Sequence, residues 1–467
     1  MTAFAIAIAV VAVAAAIAAS LHAILYKRDV RAAIGWTGFI WIAPLAGPLI
    51  YLLFGVNRIR RRAAILRGQT KSVRAVSRPE RSEDAPLAAL VRYGDAVSRN
   101  VLHPGNRVEM FIDGGMAYKA MLERIDEARH SISLATYIFG GDAVGRRFIE
   151  ALARAGSRGV EVRVILDPVG SREHRRHILR ALHDGGARAA LFLPTFGPRG
   201  VLSTNLRNHR KVLVLDGTCA FTGGMNISSE YEAEPDDPDA IRDTQFLLEG
   251  PAVADLQQTF CEDWWFVAEE RLAGPAWFPP LARQGEAEAR VVADGPDEDF
   301  ERIRWLTLGA IAAARSTIRI ATPYFLPDTT LVSALNVAAM RGVRVEILIP
   351  ERLDHRIVKW ASNAQLWQVL EKGCRIWFTD APFDHSKLFA VDGSWALFGS
   401  SNWDPRSFRL NFELNVEVLG ATVAADIDRL ICERRDNGRE ITLAMMDARA
   451  LPIRVRDGIA RLFTPYL

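Results

Sequence analysis

The chain has 467 residues, 49% of them hydrophobic, with 58 basic against 55 acidic side chains and a net charge of +3. It is long enough for two core-bearing units plus an appendage, too apolar for a disordered chain, and too nearly neutral for a broad nucleic-acid footprint. The four cysteines, Cys219, Cys261, Cys374 and Cys432, are scattered without metal-ligand spacing and read as reduced core thiols.

Residues 2 to 25 are almost uninterrupted Ala, Val, Ile, Phe and Leu. As a helix they reach roughly 36 Å, enough to cross a bilayer. No basic segment precedes the run, which separates it from a cleaved signal peptide. After Lys27, Arg28 and Arg31 comes a second apolar stretch, Ile34 to Phe54, with Pro44, Gly47 and Pro48 between Trp36, Trp41 and Tyr51. The prolines predict a kinked span or a re-entrant hairpin, with the aromatics at headgroup level. Arg58, Arg60, Arg61 and Arg62 follow, and the positive-inside rule puts both termini in the cytoplasm. The same cluster is suited to anionic lipid headgroups.

The expected organisation is a membrane region over 1–62, a polar linker over 63–85, a first half over 86–283, a connector over 284–300 and a second half over 301–467. The halves repeat. Ala128-Arg129-His-Ser-Ile132-Ser-Leu134-Ala135-Thr136 matches Ala314-Arg315-Ser-Thr-Ile318-Arg-Ile320-Ala321-Thr322, each a helix end leading into a strand. Arg158-Gly159-Val160-Glu-Val162 matches Arg341-Gly342-Val343-Arg-Val345 in the same way. The order helix, strand, helix, strand, cassette strand in both halves predicts an α/β fold of two layers related by a pseudo-twofold axis.

Each half carries one HxKxxxxD cassette, His209-Arg-Lys211-Val-Leu-Val-Leu-Asp216 and His385-Ser-Lys387-Leu-Phe-Ala-Val-Asp392. Each is followed, 17 residues after its histidine, by an asparagine on a glycine-containing turn, Asn226 and Asn402, the latter after Ser400. The chain has only seven lysines against 51 arginines, so two lysines at matched spacing stand out. Period two puts His and Lys on one face of each strand, and the apolar runs that follow read as buried core. The pseudo-twofold axis would bring His209 and His385 together.

Two histidines facing one phosphorus can serve as nucleophile and general acid in a phosphodiester exchange through a phosphohistidine. Lys211, Lys387, Asn226 and Asn402 would hold the non-bridging oxygens, with Ser400 as a further hydroxyl, so neither a metal nor a cofactor is called for. Each imidazole needs a partner on its second nitrogen. Glu413, 28 residues after His385, is the candidate in the second half, and Asp243 is its counterpart in the first. Asp216 and Asp392 belong to the catalytic cassettes but, ending their strands, are expected to anchor them through hydrogen bonds. The remaining histidines fit no repeat and read as surface or structural. Thr195 to Asn208, rich in Gly and Pro, reads as a site rim, and the acidic insert Glu230 to Asp239 as a solvated loop without calcium-loop spacing.

The paired cassettes resemble those of the phospholipase D superfamily. Further segments resemble its bacterial cardiolipin synthase branch: Tyr137-Ile-Phe139 with Asp142 and Gly145, Arg242-Asp243-Thr244, Glu249-Gly250-Pro251, Thr322-Pro323-Tyr324-Phe325 with Pro327-Asp328, Asn411-Phe412-Glu413 and Leu462-Phe-Thr-Pro465. The resemblance implies two phospholipase D-type α/β sandwich repeats behind an N-terminal helical membrane region. It also implies an enzyme of the inner (cytoplasmic) membrane, multi-pass, with its catalytic domain on the cytoplasmic side. Its substrate would be phosphatidylglycerol, two molecules of which give cardiolipin and glycerol, with His209 attacking and His385 donating the proton. Gly224 departs from the pattern, which often has serine there. Two rivals share the cassettes: a membrane-anchored phospholipase D or a synthase with another donor lipid, and a soluble nuclease, which would have no use for residues 2 to 55.

Overall fold

A computed structural model describes residues 3–27, 30–55, 87–193, 206–234, 237, 239–296 and 299–464. The chain divides into two compact units, Met1–Leu66 and Arg67–Leu467. The arginine cluster at 58–62, the linker at 63–85 and most of the expected rim, 194–205, lie outside the described residues.

The first unit opens with α1 (Ala3–Tyr26), whose segment Ile6–Tyr26 is, among the described residues, the one helix long and apolar enough to cross a membrane. Helix α2 (Val30–Ile42) has 13 residues, about 20 Å, short of a hydrocarbon core of about 30 Å. The helix breaks at Pro44 and resumes as α3 (Gly47–Ile50), with Pro48 in its first turn, and a π-helical turn, Tyr51–Gly55. The second apolar stretch is therefore interrupted where its prolines predict. His22 Nδ1 lies 2.8 Å from the Tyr51 hydroxyl, tying the second stretch to α1, and within that stretch Trp36 packs edge-on against the Tyr51 ring.

In the second unit the strands of the first half are β1 (His103–Ile112), β2 (Ser131–Thr136), β3 (Glu161–Leu166), β4 (Arg188–Leu191), β5 (Val212–Leu215), β6 (Cys219–Gly223), β7 (Ile241–Arg242) and β8 (Thr244–Glu249). Those of the second half are β9 (Ala287–Asp294), β10 (Thr317–Ala321), β11 (Arg344–Pro350), β12 (Arg375–Thr379), β13 (Phe383–Asp384), β14 (Leu388–Val391), β15 (Trp395–Gly399), β16 (Glu413–Leu419) and β17 (Arg439–Ile441). Fifteen of them form one sheet in the order β4-β3-β2-β5-β6-β8-β1-β9-β16-β15-β14-β10-β11-β12-β17, while β7 and β13 pair separately. Outward from the β1–β9 seam the two halves run through equivalent strands, with β17 as an extra edge. This is the repeat legible in the sequence. The seam itself is short, with partners at His103–Ala289 and Asn106–Ala287.

The first half's helices are α4 (Ala88–Val97), α5 (Asp113–Glu127), α6 (Ala143–Ser157), α7 (Arg175–Asp184) and α8 (Val253–Ala268). The second half's are α9 (Arg302–Ala313), α10 (Thr329–Met340), α11 (Arg356–Asn363), α12 (Trp367–Leu370), α13 (Pro405–Arg409), α14 (Ala421–Asp436), α15 (Leu443–Asp447) and α16 (Leu451–Arg461). Asp142 and Asp328 begin α6 and α10 by accepting the Gly145 N–H at 2.9 Å and the Thr330 N–H at 2.8 Å, so these motif residues are helix caps. At Gly145 a β-carbon would lie 1.9 Å from the Gly140 carbonyl oxygen, which explains the glycine.

Strand alternation sorts the cores. Val212 and Val214 of β5, with Leu388 and Ala390 of β14, face a core shared by both halves, where Phe246 stacks on Phe398 with centroids 3.6 Å apart. Leu213 and Leu215 face the first half's outer core, and Phe389 and Val391 the second's. Two expectations on boundaries need correction. Residues 284–300 are more than a connector, because β9 pairs along its length with β16. Helix α4 belongs to the second half's core through Leu90, and Tyr93 donates to the Trp305 carbonyl. The segment reads as a linker because β9 mixes charged with small residues and ends at Asp294-Gly-Pro296.

The junction is locked by Arg290, whose buried guanidinium donates to Glu417 at 2.6 Å and Asp95 at 2.6 Å. Glu417 is itself fully buried and also accepts from Trp395 Nε1. Arg290→Ala strands that carboxylate and is expected to cost about 3–5 kcal/mol, whereas Arg290→Met with Glu417→Gln recovers most of the loss. Thermal unfolding of both variants checks this; equal melting temperatures would contradict it.

Candidate active site

The residue before each cassette strand is pinned to the opposite half. Asn208 forms a parallel bridge with Phe412, and the His209 N–H donates to the Phe412 carbonyl at 2.9 Å. In the other half β13 pairs in parallel with β7, and the His385 N–H donates to the Arg242 carbonyl at 2.7 Å. The residues that follow these bridges are Glu413 and Asp243. Each histidine thereby meets the carboxylate of the other half: His209 Nδ1 lies 3.0 Å from Glu413 Oε2, and His385 Nδ1 lies 2.8 Å from Asp243 Oδ2. The same-half assignment of orienting carboxylates is corrected. The pairing is crosswise, because backbone bridges across the pseudo-twofold axis set it.

With Nδ1 engaged, each imidazole has Nε2 left for a reacting group. Both rings are largely buried, flanked by Tyr137 at 5.2 Å from His209 and by Phe383 at 5.8 Å from His385. Lys211 Nζ donates to the His209 carbonyl at 2.8 Å, and Lys387 Nζ to the His385 carbonyl, so each lysine folds back over its own histidine. Burial and the nearby second lysine push Lys211 down to about 7, and burial brings Lys387 to about 8. An entering phosphate would restore both charges.

The two dyads are not equivalent. Glu413 is buried, yet the His209, Lys211 and Ser400 groups hold it below the usual carboxylate range. The Ser400 hydroxyl donates to Glu413 Oε2 at 2.5 Å and Asn411 Nδ2 to Oε1 at 3.0 Å. Asp243 lacks a hydroxyl donor among its contacts, taking the Thr244 N–H instead, and burial pushes it up to about 7. The departure at Gly224 follows from this. Asp243 is one methylene shorter than Glu413, and a β-carbon at 224 would lie 2.4 Å from its Oδ1. Glycine with aspartate replaces serine with glutamate. Burial and the surrounding cations pull His385 well below its ordinary value, and burial also lowers His209, partly offset by Glu413.

Two further expectations, for Ser400 and Asn226, meet the structure differently, while Asp216 and Asp392 anchor their strands. Ser400 supports Glu413 in place of a phosphate, and its carbonyl faces His209 Nδ1 at 3.1 Å. Asn226 is committed on both sides of its amide, accepting from Ile138 N at 3.1 Å and donating to the Tyr231 hydroxyl at 3.0 Å, which leaves one N–H for a ligand. Asn402 Oδ1, in contrast, is buried without a hydrogen-bond partner among the described residues. Asp216 and Asp392 do not join the site. Their carboxylates, in the left-handed region at φ 51, collect the N–H groups of residues 129–131 and 315–317 at the far ends of the cassette strands.

Sequence reasoning missed the supports beside the cassettes. Arg210 and Asn208 both reach Asp263 of α8, Arg210 at 2.7 Å, while Asp384 and Ser386 both reach Arg434 of α14, Asp384 at 2.8 Å. The repeat keeps the clamp and exchanges its charges. Tyr231 is buried 6.4 Å from His385 although it sits in the acidic insert, parts of which lie outside the described residues. Among the described residues there is no group of three or more His, Cys, Asp or Glu arranged to hold a metal.

A family model described as cardiolipin synthase, phospholipase D-like domain, matches residues 121–264 and 308–434, and one described as phospholipase D-nuclease N-terminal matches 14–55. The chain is 32% identical to a cardiolipin synthase of Geobacillus thermodenitrificans, covering 95% of this chain and 90% of that protein. It is 31% identical to the major cardiolipin synthase ClsA of Bacillus subtilis, covering 94% and 95%. Among solved structures, a phosphatidylserine synthase of Haemophilus influenzae superposes with a TM-score of 0.62 at 14% identity, over 81% of this chain and all of that one, a likeness of fold.

The unequal dyads predict a bell-shaped pH dependence of kcat/KM. If His209 is the attacking group, the ascending limb, below pH 6.5, is the loss of its proton. The descending limb, between about 7 and 8, is loss of the proton shared by Asp243 and His385 together with the lysine charges. Asp243→Asn removes the charge that retains those protons and should move the descending limb to lower pH, while Glu413→Gln moves the ascending limb to lower pH. Profiles in which both variants shift the same limb would contradict the assignment.

Proposed function

The chain belongs to the phospholipase D-like cardiolipin synthase family of enzymes, and on that premise we propose that it is a membrane-bound phosphatidyltransferase joining two phosphatidylglycerol molecules into cardiolipin and glycerol. The observation that carries the reading is the crosswise arrangement of two His–carboxylate dyads, each with its lysine folded over it.

In the first step neutral His209 attacks phosphorus with Nε2, the bond to the glycerol oxygen breaks, and His385 Nε2 gives that oxygen its proton. The product is a phosphohistidine and free glycerol. Ionised Glu413 stabilises the positive charge that grows on His209 as the P–N bond forms. In the second step the terminal hydroxyl of a second phosphatidylglycerol returns a proton to His385 and attacks phosphorus, releasing His209 and cardiolipin. Lys211, Lys387, Asn402 and the remaining Asn226 N–H supply donors and charge for the non-bridging oxygens. The shift of Asp243 to about 7 supports His385 as the group that gives and takes the proton near neutrality. Transfer prevails over hydrolysis where water is kept from the phosphohistidine, which a site on a membrane favours. The localisation that goes with this reading is the inner membrane, multi-pass, with the catalytic unit cytoplasmic.

Full-length protein given phosphatidylglycerol alone should release glycerol mole for mole with cardiolipin, and added glycerol should drive the reaction backward. His209→Ala and His385→Ala should each lower turnover at least about 10²–10⁴-fold. Phosphatidic acid without cardiolipin would replace this reading with a membrane-anchored phospholipase. For topology, a reporter fused after Leu467 should be cytoplasmic, and alkaline phosphatase activity there would overturn the orientation.

A further inference from the structure

Helix α16 is amphipathic with its apolar side outward. Its buried polar anchor is Asp457, clasped by Arg449 at 2.8 Å and Arg456 at 2.7 Å. Leu451, Val455 and Ile459, at helical spacing i, i+4, i+8, form a stripe that is exposed, 71% at Leu451 and 54% at Ile459, and Leu462 and Phe463 continue it. A stripe of this kind ordinarily faces a core. Here it forms one wall of a groove of about 600 Å³, with Ile357 and Trp360 of α11 on the other wall. That volume lies within the range of about 300–1,000 Å³ typical of small-ligand clefts.

Two observations say what fills the groove. The first is charge: Arg352, Arg356, Arg454 and Arg461 stand exposed on these helices and the approach to them, against Asp354 and Asp447 as exposed acids. An apolar groove with a cationic border matches an anionic lipid. The second is continuity with the catalytic cleft. Trp360 and Ala460 pack in one apolar cluster with Tyr324 and Phe383, and Phe383 lies 5.8 Å from the His385 ring. Apolar packing thus connects α16 with the ring that stands beside His385.

We propose that the groove between α11 and α16 receives the acyl chains of an anionic phospholipid drawn from the bilayer, with its phosphate directed to the His385 side of the site. The proposal rests on the lipid-substrate reading above and adds where the lipid enters. Because α16 shows solvent an apolar stripe beside the exposed Arg454 and Arg461, it is built to lie along an anionic bilayer surface.

The test uses full-length protein in phosphatidylcholine vesicles containing phosphatidylglycerol with a photoreactive diazirine in its acyl chain. Cross-links should map to residues 451–463 and 356–360. The double variant Val455→Glu with Ile459→Glu should reduce labelling and raise the apparent KM for vesicle phosphatidylglycerol, each about ten-fold, with kcat and melting temperature held. The same charges on α10, at the exposed Val337 and Met340, should change neither quantity. Labelling that maps elsewhere, or a double variant with wild-type KM, overturns the proposal. Labelling of α16 in a protein that makes no cardiolipin supports the groove and removes the transferase reading instead, so the two fail separately.

Discussion

The structure turns on two short parallel bridges, Asn208 to Phe412 and β13 to β7, that carry the backbone of each half onto the other. They place each histidine N–H on a carbonyl of the opposite half, and the next residue on that strand is the carboxylate that orients the ring. Neither half holds a complete dyad. Their shared core, centred on the Phe246–Phe398 stack, is therefore as necessary to the site as the cassettes, since a shift of the halves would separate both imidazoles from their partners at once.

Burial governs the chemistry that results. Both lysines, both histidines and both carboxylates are buried, and the charge of each depends on the others. Glu413 keeps its charge because Ser400, Asn411, His209 and Lys211 surround it with donors and positive charge. Asp243, with fewer donors, gives way to burial. A nearly symmetric scaffold thereby sets the two histidines in different electrostatic surroundings, the difference on which the proposed division into nucleophile and proton donor rests.

Much of this was legible in the sequence because it is local. The cassettes, the paired helix-to-strand segments and the long apolar helix α1 all lie within windows of a few tens of residues, and Asp216 and Asp392 could be read as strand-end anchors from position alone. The crosswise pairing could not, since Glu413 and Asp243 stand 204 and 142 residues from the rings they hold. Repeat logic argued for the same half, because an internal duplication is silent on which copy supplies which contact. The fate of α4 and β9 was hidden for a related reason: their short amphipathic patterns say that they have a buried face, without saying against which half. The clamp of Arg210 on Asp263 and of Arg434 on Asp384 escaped because its charges exchange sides between the repeats, so that aligning the halves conceals it.

The glycine at 224 shows what joining the two halves in one polypeptide makes available. Two identical chains meeting on a true twofold axis must present the same carboxylate and the same supporting residue to both rings, so any change that helps the nucleophile is forced on its partner as well. Covalent fusion releases that constraint. The Gly224–Asp243 and Ser400–Glu413 pairs differ by one hydroxymethyl group and one methylene, small changes that break the degeneracy of the two imidazoles. Division of labour within a duplicated protein can thus begin in the residues behind the catalytic groups while the groups themselves stay identical.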